Sequence, residues 1–388
     1  MNLDLHLTTD CNMECKFCGA WEQEMQGVSM SREDALFALT EGKGMGYKLV
    51  TLTGGEPTLN PAFEEIVHDA CELGYWVCIT TNGLIAKDNF LKSIKNKKVM
   101  IRVSLHTLNR EKHREITGHD TFEGVMRSIR LLKEYRIFYG LGFTAYEENI
   151  DEIKGISRFA WENSASFVRF TPVVGMRKAK EIILEREFYY NMLKTIAELS
   201  ARNIEKLEYA KTGGLRGMEM LDVMLTRQCP ASSFLHIILD AEKTVVPCSF
   251  IDQQYNMHYP GFRSRQDFKR IIERMRDFFA EAKSRGFAGI CGECSYRNVC
   301  AGGCLTTKFP FGMKVTDEQP VCVRQIVRRI VSEMQEEAAA RLVDYWLYHF
   351  SRKISGVDRN KSCMRRLPLW EINFRPDGDR SSIPFHSD

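Results

Sequence analysis

The chain has 388 residues, 44% hydrophobic and 27% charged, and Lys+Arg 54 against Asp+Glu 51 leaves a formal charge of +3. That length holds two or three domains with cores of their own, and so small a charge is too weak to drive nucleic-acid binding by electrostatics alone. No run of about 18 apolar residues predicts a membrane span, and MNLDLHLTTDCN at the start lacks the basic and apolar regions of a secretory signal, so a cytosolic protein is expected.

NLDLHLT (2–8) alternates apolar and polar residues and predicts a strand. SREDALFALTEGKGMG (31–46) predicts a helix, with Ser31 as N-cap and Asp34 in place of the usual capping-box Glu. YKLVTLT (47–53) is a second strand, followed by Gly54 and Gly55. NPAFEEIVHDACELG (60–74) predicts a helix capped by Asn60, with Pro61 at its first position and Gly74 past its end. Four more strands are predicted at 75–81, 98–106, 137–146 and 166–172, separated by helical patterns. In TFEGVMRSIRLLKEY (121–135), Phe122, Val125, Met126, Ile129, Leu132 and Tyr135 keep the helical spacing.

Six strand–helix repeats predict parallel strands joined by right-handed crossovers, an α/β fold that is simplest as a partial, open (β/α)6 barrel. Its expected extent is 1–175, with a helical linker over 176–228 that includes a helix at 181–205. From 229 the texture changes to short strands, turns and cysteines, which predicts a small α+β module over 229–322. A single long amphipathic helix is predicted at 321–350, with Ile326, Ile330, Met334, Ala338, Leu342 and Trp346 on one face, inside a C-terminal helix and tail at 323–388. RPDGDRSSIPFHSD at the end is polar and turn-rich, and loose order is expected there.

Thirteen cysteines in a chain without a secretory signal point to thiolate–metal chemistry rather than disulfides. Cys11, Cys15 and Cys18 stand in the loop after strand one, at the end of a parallel barrel where chemistry is placed. They read as three buried thiols, as half a zinc site, or as ligands of a 4Fe–4S cluster with one iron left for an outside ligand. The next strands end in Gly54-Gly55-Glu56-Pro57, in Asn82-Gly83 and at Ser104. Adjacent glycines allow close backbone approach, and Glu56 can bind an ammonium. Cys71, Cys78 and Cys363 read as core or surface residues without a metal role.

Cys11-x3-Cys15-x2-Cys18, with Phe17 before the third cysteine, together with these loops, resembles the radical S-adenosylmethionine (SAM) superfamily. The resemblance covers about residues 1–175. It implies that the three cysteines bind a 4Fe–4S cluster whose fourth iron is chelated by SAM. Reductive cleavage of SAM then gives a 5′-deoxyadenosyl radical that abstracts a hydrogen atom from substrate. It also implies that Gly54, Gly55 and Glu56 hold the methionine amino group, that Phe17 lies near the adenine and Ser104 near the ribose, and that Asn82 belongs to the same cofactor site. Strand four reads Ser104-Leu105-His106 where the family often has Ser-Leu-Asp, so His106 either replaces that contact or faces the substrate.

Farther on, Cys291-x2-Cys294-x5-Cys300-x3-Cys304 is followed by Cys322, and Cys229 and Cys248 lie upstream. Close CxxC pairs are also zinc-like. The pattern resembles the SPASM domain, an auxiliary-cluster extension of radical SAM enzymes. That resemblance implies one auxiliary 4Fe–4S cluster on Cys291, Cys294, Cys300 and Cys322 and another on Cys229, Cys248 and Cys304, three clusters in all. Lys243 stands where a glycine is usual, and Ser232, His236, Asp240 or an outside group is left to complete the second auxiliary set.

The activity this implies is oxidation or crosslinking of a peptide or protein side chain, with auxiliary clusters relaying electrons and a flavodoxin- or ferredoxin-type donor supplying them. Strand one begins at residue 2, which leaves no room for the leader-binding domain common in peptide-modifying relatives. A small-molecule substrate such as a sugar, a tetrapyrrole or an amino acid is the alternative. A non-catalytic electron-transfer or sensor protein is a third, which the GGEP (54–57) and TTNG (80–83) loops disfavour. No nucleic-acid or membrane partner is expected.

Overall fold

The computed structural model describes residues 2–18, 27–174, 179–202, 236–239, 244–246, 264–295, 297–300, 302–303, 308, 311–314, 316–339, 342 and 371–373. Strands β1 (Asn2–His6), β2 (Leu49–Thr53), β3 (Trp76–Thr81), β4 (Val99–Ser104), β5 (Tyr139–Ala145) and β6 (Phe167–Pro172) alternate with helices α1 (Arg32–Gly44), α2 (Phe63–Glu72), α3 (Asp88–Ile94), α4 (Arg110–Thr117), α5 (Phe122–Glu134) and α6 (Ile153–Glu162). Each of these strands pairs in parallel with the next. This is the expected six-strand α/β architecture. One face of each strand (Leu3, Leu5, Val50, Leu52, Val77, Ile79, Ile101, Val103, Leu141, Phe143, Val168, Phe170) joins a continuous apolar core with the helices. Burial of that layer supplies the main driving force for the fold.

Local signals act as the sequence predicts in several places. Ser31 caps α1, its hydroxyl accepting from Asp34 N at 3.1 Å and donating to Asp34 Oδ2 at 2.7 Å. Gly74 follows α2 with φ +76, a left-handed position that glycine takes without penalty. Val125, Ile129 and Leu132 are the buried stripe of α5. Cys78 is buried against Met100 and Phe167, and Cys71 is half-buried on α2.

Asn60 does not cap α2. The chain makes a single 3-10 turn at Pro57–Leu59, and α2 begins only at Phe63 with Ala62 at its N-cap. Asn60 instead turns inward. It is 3% exposed, and its amide donates to Leu7 O at 2.7 Å and Met30 O at 2.8 Å. A buried amide satisfied by two carbonyls of the strand-one exit loop outweighs a local cap.

The sheet is longer than six strands. Beyond β6, α7 (Arg186–Arg202) leads on, and β7 (His236–Leu239) pairs in parallel with β1. β8 (Val245–Val246) pairs antiparallel with β7, so residues expected to open the cysteine-rich module extend the first sheet instead. The cysteine-rich part holds α8 (Arg265–Ser284), α9 (Gly289–Glu293), α10 (Arg297–Cys300) and α11 (Val323–Glu333). β9 (Glu371–Asn373) closes the other edge, antiparallel to β6.

The single long helix expected at 321–350 is not formed. α11 stops at Glu333, and Met334 is extended, with φ -80 and ψ 153. No Gly or Pro marks the stop. Glu333 is held against α7 by Lys194 at 3.2 Å and by the Tyr190 hydroxyl, and Arg329 stacks 3.7 Å from the Tyr190 ring centroid. Tertiary contacts therefore fix the end of this helix.

Candidate functional site

The loops after β1, β2 and β3 meet at one end of the sheet and are fastened by their own backbones. Gly55 N donates to Thr8 O at 2.8 Å and Glu56 N to Asp10 O at 2.7 Å. The two glycines are required here by space. A Cβ on Gly55 would lie 2.1 Å from Asp10 O, and one on Gly54, whose φ is +138, would lie 2.5 Å from Thr8 O. The close approach these glycines permit is thus to the loop that carries the first three cysteines.

Cys11, Cys15 and Cys18 are all half-buried free thiols in that loop. The loop is also tied to α4, through Glu14 N to Thr117 O at 2.8 Å and Lys16 N to Ile116 O at 3.0 Å. Burial pushes the Cys11 thiol up. A backbone N–H from Met13 and the Asn82 side chain pull it back toward the thiolate, against Glu56 and Cys18. Asn82 fastens the third loop: its N–H donates to Glu56 Oε2 at 2.7 Å, and its amide donates to Asn12 Oδ1 at 2.5 Å.

Glu56 is fully buried. Burial raises its carboxyl above the ordinary value, opposed by hydrogen bonds from Asn82, Thr58 and Thr81. Oε1 accepts from Thr58 N at 3.2 Å, Thr58 Oγ1 at 2.7 Å and Thr81 Oγ1 at 2.9 Å. Oε2 accepts only from Asn82 N among the described residues, so one lone pair faces further donors. The carboxylate therefore joins the second and third loops and still has capacity for an ammonium.

Phe17 is 8% exposed and packs edge-on against His106, with ring centroids 4.7 Å apart, and at a tilt against Tyr146 at 5.5 Å. His106 is buried. Burial, with His113 nearby, lowers it to about 3, so it is neutral. Its Nδ1 accepts from Thr144 N at 3.0 Å, which puts the proton on Nε2 as a hydrogen-bond donor. Ser104 ends β4, half-buried, in register with Gly142 of β5. Sequence reasoning missed Asp10, Thr58 and Tyr146. The signal available for Tyr146 is its place at the end of a predicted strand.

The second cysteine set comes together from three short elements. Cys291 lies on α9 and Cys294 at its C-cap, Cys300 ends α10, and Cys322 precedes α11. All four are half-buried free thiols. Burial, and after it the neighbouring Cys322, Cys291 and Cys294, push the Cys300 thiol up to about 11. Gln319 N donates to Cys291 Sγ at 3.3 Å and Arg324 Nη1 to Cys294 Sγ at 3.9 Å.

Lys308, which the sequence gives no reason to single out, is fully buried beside this set. Burial lowers its ammonium, and Cys291, Asp317 and Cys300 hold it up. Its Nζ donates to Asp317 O at 2.6 Å. A buried ammonium is costly unless negative charge accompanies it, and four thiolates would supply that charge. The chemistry of the donor set thus fits an iron–sulfur group.

Among the described residues, no three His, Cys, Asp or Glu side chains are placed to grip a single ion. Cys229, Cys248, Cys304, Lys243, Ser232, Asp240 and Cys363 lie outside the described residues, as does the side chain of His236. No helix among the described residues is long and apolar enough to cross a membrane.

The family model described as Radical SAM superfamily matches residues 5–160, and this part of the chain is a radical SAM domain. "Probable GTP 3′,8-cyclase" of Saccharolobus islandicus (strain M.14.25 / Kamchatka #1) is 41% identical over 130 residues, 33% of this chain and 42% of that protein. The match therefore spans less than half the length of that curated relative. "AdoMet-dependent heme synthase" of Methanosarcina barkeri (strain Fusaro / DSM 804) is 23% identical over 347 residues, 82% of this chain and 94% of that protein. Streptococcus suis SuiB bound to precursor peptide SuiA superposes with TM-score 0.63 at 16% identity, over 82% of this chain and 74% of that one. Native anSMEcpe with bound AdoMet and Kp18Cys peptide gives TM-score 0.63 at 17% identity, over 92% of this chain and 100% of that one. At these identities the structures establish a shared fold.

Proposed function

We infer that the chain is a radical SAM enzyme that oxidises or crosslinks a peptide or protein side chain. In this reading Cys11, Cys15 and Cys18 hold a 4Fe–4S cluster and leave its fourth iron to SAM. Bound there, the cluster and SAM supply one-electron cleavage of a C–S bond and removal of a hydrogen atom from substrate. The chain's own part is positional. Gly55 and Glu56 lock the cysteine loop to β2 through Thr8 and Asp10. Glu56 Oε2 receives the amino group of SAM beside Asn82, with Gly54 and Gly55 at the methionine end. Phe17 lies near the adenine, and Ser104 near the ribose. His106 offers a neutral N–H donor instead of the acidic side chain common at that position.

The observation that carries this reading is the convergence of three strand-end loops, joined by Gly55 to Thr8, Glu56 to Asp10 and Asn82 to Glu56. A plain electron carrier has no use for loops joined in this way. Cys291, Cys294, Cys300 and Cys322 hold an auxiliary cluster beside Lys308, and Cys229, Cys248 and Cys304 another, forming an electron route fed by a flavodoxin- or ferredoxin-type donor. The peptide substrate is supported, through fold alone, by two neighbours solved with peptides that cover most of this chain. A small-molecule substrate is the second reading, favoured by the named activities of the cyclase and heme synthase relatives.

Protein reconstituted with iron and sulfide without oxygen is expected to form 5′-deoxyadenosine from SAM when reduced. Replacing Cys11, Cys15 and Cys18 together by Ala should abolish this while iron at the second set is retained. Product formation at the parent rate in the triple variant would refute the assignment.

A further inference from the structure

We propose that Gln319 is a positioning residue that raises the reduction potential of the cluster on Cys291, Cys294, Cys300 and Cys322. Its backbone N–H donates to the Cys291 sulfur, and its buried side chain bolts that N–H to the turn after Cys300. The inference rests on the reading above that these four cysteines hold an iron–sulfur cluster.

Its basis is a strap of four residues, Thr316-Asp317-Glu318-Gln319, each of which grips the site at a different point. Ala288 N donates to Thr316 O at 2.8 Å. Lys308 Nζ donates to Asp317 O at 2.6 Å, and Ile290 N to Glu318 Oε2 at 3.0 Å. The strap therefore runs beside the start of α9, which carries Cys291. It ends where Gln319 N donates to Cys291 Sγ at 3.3 Å. Pro320 follows, and a residue before proline is pushed toward extended backbone.

The Gln319 side chain reaches a second ligand-bearing segment. It is 7% exposed, its Nε2 donates to Gly302 O at 3.0 Å, and its Oε1 accepts from Val321 N at 3.4 Å. Gly302 and Gly303 follow Cys300 in left-handed conformations, with φ +76 and +80. A Cβ on Gly303 would lie 2.2 Å from Gln319 Nε2, so the turn is shaped to admit this amide. One residue thus ties the Cys291 sulfur to the segment that carries Cys300, with both ends of a buried amide satisfied in doing so.

An N–H aimed at a thiolate is a charge-assisted donor, stronger than a neutral pair. Hydrogen bonds to the sulfurs are among the determinants of iron–sulfur potential, and the groups that orient a ligand tune its metal. Reduction adds one negative charge to the cluster, so a donor at sulfur stabilises the reduced state more. Freeing the amide lets the N–H drift from the sulfur and makes reduction harder. The buried ammonium of Lys308, held by the same strap, acts in the same direction.

The test is a redox titration of the reconstituted full-length protein, following the electron paramagnetic resonance signals that do not respond to SAM. Gln319→Met keeps the length and the backbone N–H of the residue but removes the side-chain hydrogen bonds. At the parent midpoint of one such signal, the reduced-to-oxidised ratio is expected to fall about tenfold, 59 mV for one electron, while the other signals keep their midpoints. Unchanged midpoints throughout, with iron loaded, overturn the proposal. An equal fall in every signal also overturns it, because general loosening of the module would do the same. If Gln319→Met loads no iron at this set, the parent protein decides. Made by cell-free synthesis with glutamine carrying ¹⁵N at its backbone nitrogen, the reduced protein should show a ¹⁵N hyperfine coupling in pulsed spectra, and absence of that coupling overturns the proposal. A parent protein without iron at these four cysteines would refute the cluster assignment itself and this inference with it.

Discussion

The two cysteine sets are held in opposite ways. The first stands on strand ends and is fixed by backbone hydrogen bonds between loops, with glycines making the approach possible. The second sits on three short helical elements beside a buried ammonium, with the Arg324 side chain and the backbone N–H groups of Gln319 and Gly303 reaching its sulfurs. The first site is therefore shaped by the backbone of the scaffold. The second carries the buried Lys308 ammonium, which Asp317 and the Cys291 and Cys300 sulfurs favour, so deprotonating those sulfurs to bind a metal adds favourable charge beside it and couples its stability to its cargo.

The sharpest way to break the first half of that comparison is Gly55→Ala. A Cβ 2.1 Å from Asp10 O leaves no flexible atom to move aside. We expect the variant to lose both cluster loading and SAM cleavage and about 2–4 kcal/mol of domain stability, since the clash is with backbone. A denaturant titration and an iron assay check it. Parent-like iron content and activity would show that the loop contact is dispensable.

Lys308→Met sharpens the second half, because its sign should depend on the metal. Without metal the buried ammonium is a burden, and the variant should be more stable by about 1–2 kcal/mol. With metal loaded, the variant loses the countercharge of the four thiolates and should be less stable or retain less iron. Melting curves of the two forms decide this. The same sign in both would mean that Lys308 does not serve the array.

A smaller effect concerns pH at the first site. Burial lowers His106 to about 3 from an ordinary 6.5. Between those values the unfolded chain binds a proton that the folded chain does not, so this residue's contribution to stability rises with pH and is lost on acidification. His106→Gln should flatten the acid limb of the metal-free protein's stability profile by about 1 kcal/mol per pH unit across that window. An unchanged slope would show that His106 is not buried neutral.

Much of this was legible beforehand for a physical reason. Strand and helix periods, the Ser31 cap and the placement of cysteines and glycines at strand ends are local patterns, and α/β topology turns local patterns into a site. What stayed hidden was non-local. Nothing near Asn60 in sequence shows that its amide will serve Leu7 and Met30. No helix breaker marks Glu333, whose contacts with Tyr190 and Lys194 come from over a hundred residues away. β7 and β9 are short, and their pairing with β1 and β6 joins segments far apart in sequence. Lys308 reads as a surface lysine until the fold surrounds it.

The central claim is that Cys11, Cys15 and Cys18 hold a cluster with an iron open to SAM. Electron paramagnetic resonance of the reduced, reconstituted protein tests it directly. Adding SAM should change the spectrum of one cluster and leave the signal from the Cys291, Cys294, Cys300 and Cys322 set unaltered, and the Cys11, Cys15 and Cys18 triple variant should keep only the unaltered signal. A spectrum indifferent to SAM in the parent protein, or a SAM response that survives in the triple variant, would contradict the account.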